Sequence, residues 1–286
     1  MICVGTSGWS YDDWAGAFYP PSLPKQAWLS YYGRFFRTTE INSTYYTFPA
    51  PFVVHEWIRK GMLVNGFEFS LKMPGRVTHD SLMADVDTAL DFEEKVVTPI
   101  KDAGLLGAVL IQTSPYLHYP DHFERLETML ESLDTESVDY AIELRHRSWL
   151  RGGNTLPEVS RLLIKHEVSL CAADGPSTAP KAAIEHTGRH TYIRFHGRND
   201  DLWFGGKDLD GRMNRYDYSY SREELEPWKA TARSIPGVVR AYFNNHPRAN
   251  AAKNAKLFET MLGVEKKETL PPRRQTGLSQ FFDDRD

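Results

Sequence analysis

The sequence has only two cysteines among its 286 residues, and it contains no long apolar run. Cys3 and Cys171 lie within short apolar segments without a C-x-x-C pair, which excludes the usual zinc ribbons and iron–sulfur clusters. Buried free cysteines are typical of a reducing cytoplasm, which is the expected location. Since no stretch of about 18 apolar residues occurs, we expect no membrane span. The N-terminal MICVGTSGW lacks basic residues and predicts a strand rather than a signal peptide.

The sequence also has no excess of basic residues. Lys and Arg total 34 and Asp and Glu total 38, which gives a net charge of −4. This balance argues against tight non-specific binding of DNA by the folded domain alone. No G-x-G-x-x-G follows a predicted strand, so an open dinucleotide-binding sheet is disfavoured.

Eight short apolar runs rich in β-branched residues alternate with mostly helix-like segments. The runs are 2–9, 38–46, 67–74, 107–115, 139–146, 169–174, 190–197 and 238–245. Strands that alternate with helices form parallel sheets, and eight of them in about 260 residues predict a TIM-type (β/α)8 barrel of the α/β class. We expect the barrel to span 1–263 and a flexible, charged, proline-containing tail to span 264–286. The segment 175–189 is expected to lack a full helix.

Polar side chains follow or end every predicted strand. Because the active site of such a barrel lies at the carboxyl ends of its strands, these side chains are the candidate site. The predicted catalytic residues are Glu40, Lys72, Glu143, Asp174 and His196. The predicted substrate-binding residues are Trp9, Asn42, Gln112, Arg145, His146, Arg194, Asn244 and Asn245.

Several chemistries suit this set of residue types. The carboxylates can act as general acid and base or bind a divalent metal, and His196 can move a proton or bind a metal. Lys72 can form a Schiff base, while Arg145 and Arg194 suit a phosphate. Mg²⁺, Mn²⁺ and Zn²⁺ all stay open as cofactors, although no H-x-x-H or H-x-E pattern occurs. The alternative is a buried ion-pair network that only fills the top of the barrel.

The same strand-end segments resemble the family called domain of unknown function 72, or YecE-like. The matching segments are VGTSGWSYDDWAGAFYP (4–20), FRTTEINSTYYTFP (36–49), FEFSLKMPGRVTHD (67–80), AIELRHRSW (141–149), YIRFHGR (192–198) and AYFNNHPRANAAKNA (241–255). They occur in order over nearly the whole predicted barrel. The resemblance implies a TIM barrel and no established reaction.

The tail resembles a different motif. Gln275, Leu278, Phe281 and Phe282 fit the PIP box, the peptide by which replication and repair proteins bind the sliding clamp PCNA. One helical turn would place the three apolar residues on one face. The resemblance implies a PCNA partner and an archaeal or eukaryotic cell. Alternatively, the tail docks on its own barrel or on a neighbouring subunit.

Three functions are consistent with these patterns. The first is DNA processing or repair by a nuclease- or lyase-type enzyme that the clamp recruits, with nucleic acid as partner. The second is a small-molecule enzyme such as a sugar-phosphate isomerase or hydrolase, and the third is a non-catalytic adaptor that binds PCNA. We favour the first, because tethering to a clamp compensates for the weak DNA affinity expected from a net charge of −4.

Overall fold

The computed structural model describes residues 1–200 and 215–264. Eight parallel strands form a closed barrel in which each strand pairs with the next in sequence and the last pairs with the first. The strands are β1 (Ile2–Ser7), β2 (Thr38–Ile41), β3 (Glu68–Lys72), β4 (Leu106–Gln112), β5 (Tyr140–Glu143), β6 (Ser169–Asp174), β7 (His190–Phe195) and β8 (Val238–Phe243). The predicted TIM-type barrel is confirmed.

Helices cover the outside of the barrel. In the described part of the chain they are α1 (Trp28–Tyr32), α2 (Ser43–Tyr46), α3 (Pro51–Gly61), α4 (Val86–Phe92), α5 (Thr98–Asp102), α6 (Phe123–Ser132), α7 (Pro157–Lys165), α8 (Arg222–Ser234) and α9 (Asn250–Leu262). As predicted, the segment 175–189 contains no helix. No helix within the described ranges is both long and apolar enough to cross a bilayer.

One predicted boundary was wrong for a local reason. The predicted strand 38–46 ends at Ile41, and its last residues form α2. Between β3 and β4, a π-helical turn, Glu93–Val97, separates α4 from α5 just before Pro99. Proline has no amide hydrogen, so the regular ladder of α-helical hydrogen bonds cannot continue through it.

Alternation along the strands separates the lumen of the barrel from the layer under the helices. Tyr192 and Arg194 on β7 point into the lumen, where Tyr192 packs near Tyr242 at 5.1 Å between ring centroids. Phe195 points outward and stacks on Phe243 at 4.3 Å, beside Phe258 of α9. This alternation decides which strand-end side chains can meet at the mouth.

The predicted clamp-binding residues lie outside the described part of the chain, as does the rest of the tail from 265 to 286. Both cysteines are buried and free, in agreement with their predicted position. Burial raises the pKa of the Cys3 thiol to about 11, which makes it a poor nucleophile.

Candidate active site

A buried arginine ties three strands together across the barrel mouth. Arg194 of β7 donates from Nη2 to Glu40 Oε1 at 2.7 Å and from Nη1 to Glu143 Oε2 at 2.6 Å. Glu40 lies on β2 and Glu143 on β5, and all three side chains are almost completely buried. Buried charges of this kind require partners in good geometry, and the two carboxylates and the guanidinium supply them to each other.

Other donors complete the hydrogen bonding of both carboxylates. Glu40 accepts from Ser7 Oγ at 2.7 Å and from the Tyr192 hydroxyl at 2.8 Å. The further donors to Glu143 are Gln112 Nε2 at 3.0 Å, Arg145 Nη1 at 2.8 Å and His196 Nε2 at 3.1 Å. All four carboxylate oxygens are therefore occupied by protein donors. Ser7 and Tyr192 were not among the predicted site residues.

Two hydrogen-bond partners, Asn244 and Glu143, hold the neutral His196 ring in one tautomer. Its Nδ1 lies 3.1 Å from the Asn244 amide nitrogen, which donates to it, and its Nε2 faces Glu143. The proton of the neutral ring therefore lies on Nε2. Burial lowers the pKa of His196 despite the adjacent carboxylate, so the ring is neutral at pH 7.

The charges within the cluster shift the pKa values of its members in opposite directions. Burial alone would raise the pKa of Glu143, but His196, Arg194 and Arg145 together hold it well below its usual range. Burial would lower the pKa of Arg194, yet Glu40 and Glu143 raise it well above the ordinary value. Glu143 and Arg194 are thus permanently charged near neutral pH.

Lys72 differs from the other cations at the mouth because no carboxylate of the described ranges forms an ion pair with it. The side chain is 9% exposed, and within the described residues no hydrogen bond or salt bridge reaches its Nζ. Burial, followed by the Arg194 charge, lowers the pKa of Lys72 to about 7. The ring of Tyr45, whose centroid lies 3.9 Å from Nζ, attracts the charged form and works against that shift.

This environment predicts an unusual pH dependence for the Lys72 amine. Reaction with a small aldehyde and a reductant requires the neutral amine, so labelling of Lys72 should rise with pH and reach half its maximum near pH 7. Exposed lysines such as Lys95, whose pKa is raised by its hydrogen bond to Asp91, should label well only at higher pH. Peptide mapping at a series of pH values measures both midpoints. A Lys72 midpoint near that of Lys95 would contradict the assignment.

Tyr45 and His79 are neighbours of Lys72 that were not among the predicted catalytic and substrate-binding residues. Their rings are perpendicular with centroids 5.0 Å apart, and a Cβ on Gly75 would come within 2.9 Å of the Tyr45 ring. His79 lies on a π-helical turn, Arg76–Asp80, directly after β3. Such turns are frequent at functional sites. Burial and the Lys72 charge lower the pKa of His79 to about 4, so it is neutral.

Two predicted site residues face the helices instead of the mouth. Asp174 pairs in register with outward-facing Phe195, and its carboxylate accepts from Arg198, Tyr220 and Trp228. Its contacts therefore anchor the segment after β7 and α8. Asn245 donates to the Tyr218 carbonyl and to Asn254 of α9. The expectation that Asp174 joins the Glu40–Glu143 cluster was wrong, because the strand alternation places it on the other face.

The remaining predicted residues lie around the edge of the mouth. His146 hydrogen-bonds Ser148, and its ring lies 4.2 Å from that of His118 in the loop after β4. Trp9 and Asn42 line a groove next to the mouth, between the loops that follow β1 and β2. The Asn42 Oδ1 is buried and has no hydrogen-bond partner among the described residues.

The donor set at the mouth does not fit a divalent metal. Every oxygen of Glu40 and Glu143 already accepts a hydrogen bond, and the nearest charged groups are cations. Within residues 1–200 and 215–264, no group of three His, Cys, Asp or Glu side chains is arranged to hold a metal ion. The divalent metals that the sequence left open, Mg²⁺, Mn²⁺ and Zn²⁺, thus find no ligand set in the described part of the chain.

The closed parallel barrel with a polar cluster at its carboxyl-terminal mouth defines a TIM-type barrel protein. The chain belongs to the family described as protein of unknown function DUF72, whose model matches residues 3–277. It is 25% identical over 279 residues to the UPF0759 protein YunF of Bacillus subtilis, covering 93% of this chain and 96% of YunF.

Further relatives agree with this assignment. UPF0759 protein YecE of Escherichia coli K12 is 26% identical over 174 residues, which are 61% of this chain and 59% of YecE. The crystal structure of a DUF72 family protein from Thermotoga maritima has 30% identity and a TM-score of 0.76, covering 92% of this chain and 99% of that chain. All three relatives are bacterial, so the archaeal or eukaryotic origin implied by the tail depends on the tail alone.

Proposed function

We propose that the barrel mouth is the active site of a lyase that acts on a phosphate-containing substrate, with Lys72 as its nucleophile. The observation that carries this proposal is the Lys72 amine, which is nearly buried, lies among cations and has a pKa of about 7. An amine that is half neutral at pH 7 attacks carbonyl carbons, whereas an ordinary lysine is almost entirely protonated there.

The reaction follows from imine chemistry. Neutral Nζ attacks the carbonyl carbon of the substrate, and loss of water gives an iminium ion. Removal of a proton from the adjacent carbon by a water molecule lets the electron pair expel a phosphate from the next carbon. Water then releases the unsaturated product and restores the amine. These reaction steps need neither a metal ion nor an oxidant.

The charge balance of the mouth favours an anionic substrate. Arg194 and Arg145 offset the charges of Glu40 and Glu143, so the protonated form of Lys72 is in surplus. Arg145 is 22% exposed in its side chain and can reach a phosphate that enters from solvent. Guanidinium groups bind phosphates with two parallel hydrogen bonds, which would fix the substrate above Lys72.

The tail extends the proposal to DNA. A deoxyribose that has lost its base carries an aldehyde in its open form and a phosphate on the β carbon, which are the two groups this reaction needs. A clamp-bound tail would supply the local concentration of DNA that a chain of net charge −4 lacks. We therefore favour baseless sites in DNA over free sugar phosphates as the substrate, and an enzyme over a non-catalytic adaptor.

Borohydride trapping tests the proposal directly. The protein is incubated with DNA that contains one baseless site, or with a free aldose phosphate, and borohydride reduces any imine to a stable secondary amine. We expect an adduct with the DNA, and peptide mapping should place it on Lys72. An adduct with the aldose phosphate alone would support the small-molecule alternative. Failure of both substrates would contradict the lyase.

The clamp partner is tested through the two tail phenylalanines. The isolated tail peptide should bind PCNA with micromolar affinity, about −8 kcal/mol, because a peptide that becomes ordered on binding loses conformational entropy. Phe281→Ala combined with Phe282→Ala should weaken binding by about 3 kcal/mol, since aromatic anchors dominate such interfaces. Calorimetric titration of both proteins against PCNA measures the difference.

Thermal melts of the same two proteins provide the control. Unfolding free energies that agree within about 0.5 kcal/mol are expected if the tail touches no core. Equal affinity of both proteins for PCNA would end the clamp hypothesis. A large fall in melting temperature would instead show that the tail packs on its own barrel.

A further inference from the structure

An open groove of about 550 Å³ lies beside the barrel mouth, between the loops that follow β1 and β2 and the outer face of α3. Trp9 and Trp57 line it, and Tyr46 and Phe52 stand at its edge. The side chains of Tyr46 and Phe52 are 81% and 70% exposed. Neighbouring aromatic side chains with this much exposure are typical of a binding surface.

Two short segments connect residues of the candidate active site to residues that line the groove. Ser7 binds Glu40, and two residues later Trp9 lines the groove. Tyr45 covers Lys72, while its neighbour Tyr46 lines the groove; their rings are perpendicular, with centroids 4.9 Å apart. The Tyr45–Tyr46 contact thus brings the lining of the groove next to the ring that covers Lys72.

The groove has a flat apolar wall, and one of its lining residues carries an acceptor without a partner. Asn42 lines the groove, and its Oδ1 is buried and has no hydrogen-bond partner in the described part of the chain. Lys25 and Lys60 also line the groove, but each lies within 4.0 Å of a surface carboxylate, so they add little net charge. The ligand is therefore recognised through a planar ring and an N–H group, and an unpaired nucleobase carries both.

We propose that this groove binds the unpaired nucleobase next to the nucleotide that reacts at Lys72. The inference rests on the proposed function and narrows its substrate to DNA with an unpaired strand beside the reacting sugar. Stacking between bases and aromatic side chains does not depend on base identity, so the groove selects single-stranded character rather than sequence.

The test measures binding in a Lys72→Ala background, so that no chemistry intervenes. Fluorescence anisotropy gives the dissociation constant of a labelled short oligothymidylate, and we expect Tyr46→Ala with Phe52→Ala to raise it at least about tenfold. Tyr116→Ala is the matched control, because Tyr116 is 73% exposed but lies outside the groove. A DNA strand of equal length made only of baseless nucleotides should bind the protein with an intact groove about as weakly as oligothymidylate binds the double variant.

The outcomes separate this inference from the lyase. Unchanged oligothymidylate affinity in the double variant would overturn the groove assignment, whether or not borohydride traps Lys72. If the wild-type groove bound the baseless strand as tightly as oligothymidylate, the nucleobase would not be the ligand. Binding of a neutral oligosaccharide that the double variant loses would also contradict the assignment of a nucleobase. A tenfold loss of affinity without Lys72 trapping would support the groove and contradict only the lyase.

Discussion

Lys72→Ala should reduce turnover of the baseless-site substrate at least about a thousandfold and abolish borohydride trapping, while the barrel stays folded. The large effect is expected because the variant loses the covalent intermediate itself, and knocking out the nucleophile of a covalent enzyme commonly costs this much or more. The fold should survive, since Lys72 makes no ion pair within the described residues and its removal leaves no buried carboxylate unpaired. Single-turnover rates, trapping and a thermal melt measure the three quantities.

Lys72→Arg separates the nucleophile from a simple cation. Arginine keeps the positive charge at this position but does not lose its proton at any pH a protein tolerates. The variant should therefore bind phosphate-containing ligands and still fail to form the imine. Lys165→Ala, which removes an exposed lysine that pairs with Glu131 outside the mouth and the groove, is the matched control and should be trapped at the wild-type position. Turnover by Lys72→Arg would show that Lys72 binds phosphate, and the lyase proposal would then be wrong.

The barrel and much of its mouth could be predicted because both follow from local patterns. Eight β-branched runs between helix-like segments leave few arrangements besides a closed parallel barrel. Glu143 with Arg145, and Arg194 with His196, are spaced i, i+2, so each pair faces one side of its chain segment. The structure places all four in contact around Glu143.

Other features of the mouth depend on tertiary register and were not visible in the sequence. Strands buried on both faces carry apolar residues at both parities, so the pattern could not show that Asp174 faces the helices. The contact of Glu40 with Tyr192 joins residues 152 apart across the lumen. The one sequence feature that places Tyr192 at the mouth is its position two residues before Arg194, which puts both side chains on the same face of β7. The contact of Tyr45 with Lys72 was not predicted, because the apolar pattern places Tyr45 in the strand 38–46, whereas β2 ends at Ile41 and Tyr45 lies in α2.

Arg194→Met should destabilise the protein by about 3–5 kcal/mol, because it leaves the carboxylates of Glu40 and Glu143 buried without their shared cation. The melting temperature should fall by about 10 °C for a chain of this size. Arg194→Lys should recover only part of the loss, since one ammonium cannot donate to both carboxylates as the guanidinium fork does. Thermal and urea unfolding at pH 7 measure both variants.

The pH dependence of the stability loss in Arg194→Met identifies the origin of that loss. In the wild-type protein the pKa of Glu143 is held well below the ordinary value of 4.5, so the stability it contributes is present above pH 4.5 and is lost as the pH falls. Arg194→Met removes one of the charges that hold this pKa down, so the difference between the two proteins should be largest at neutral pH and shrink below about pH 4.5. Glu40→Gln and Glu143→Gln added to Arg194→Met should restore much of the stability at pH 7, because no buried charge is then unpaired. A deficit that does not change with pH, and that the added glutamines do not relieve, would attribute the loss to packing of the Arg194 side chain instead of its charge.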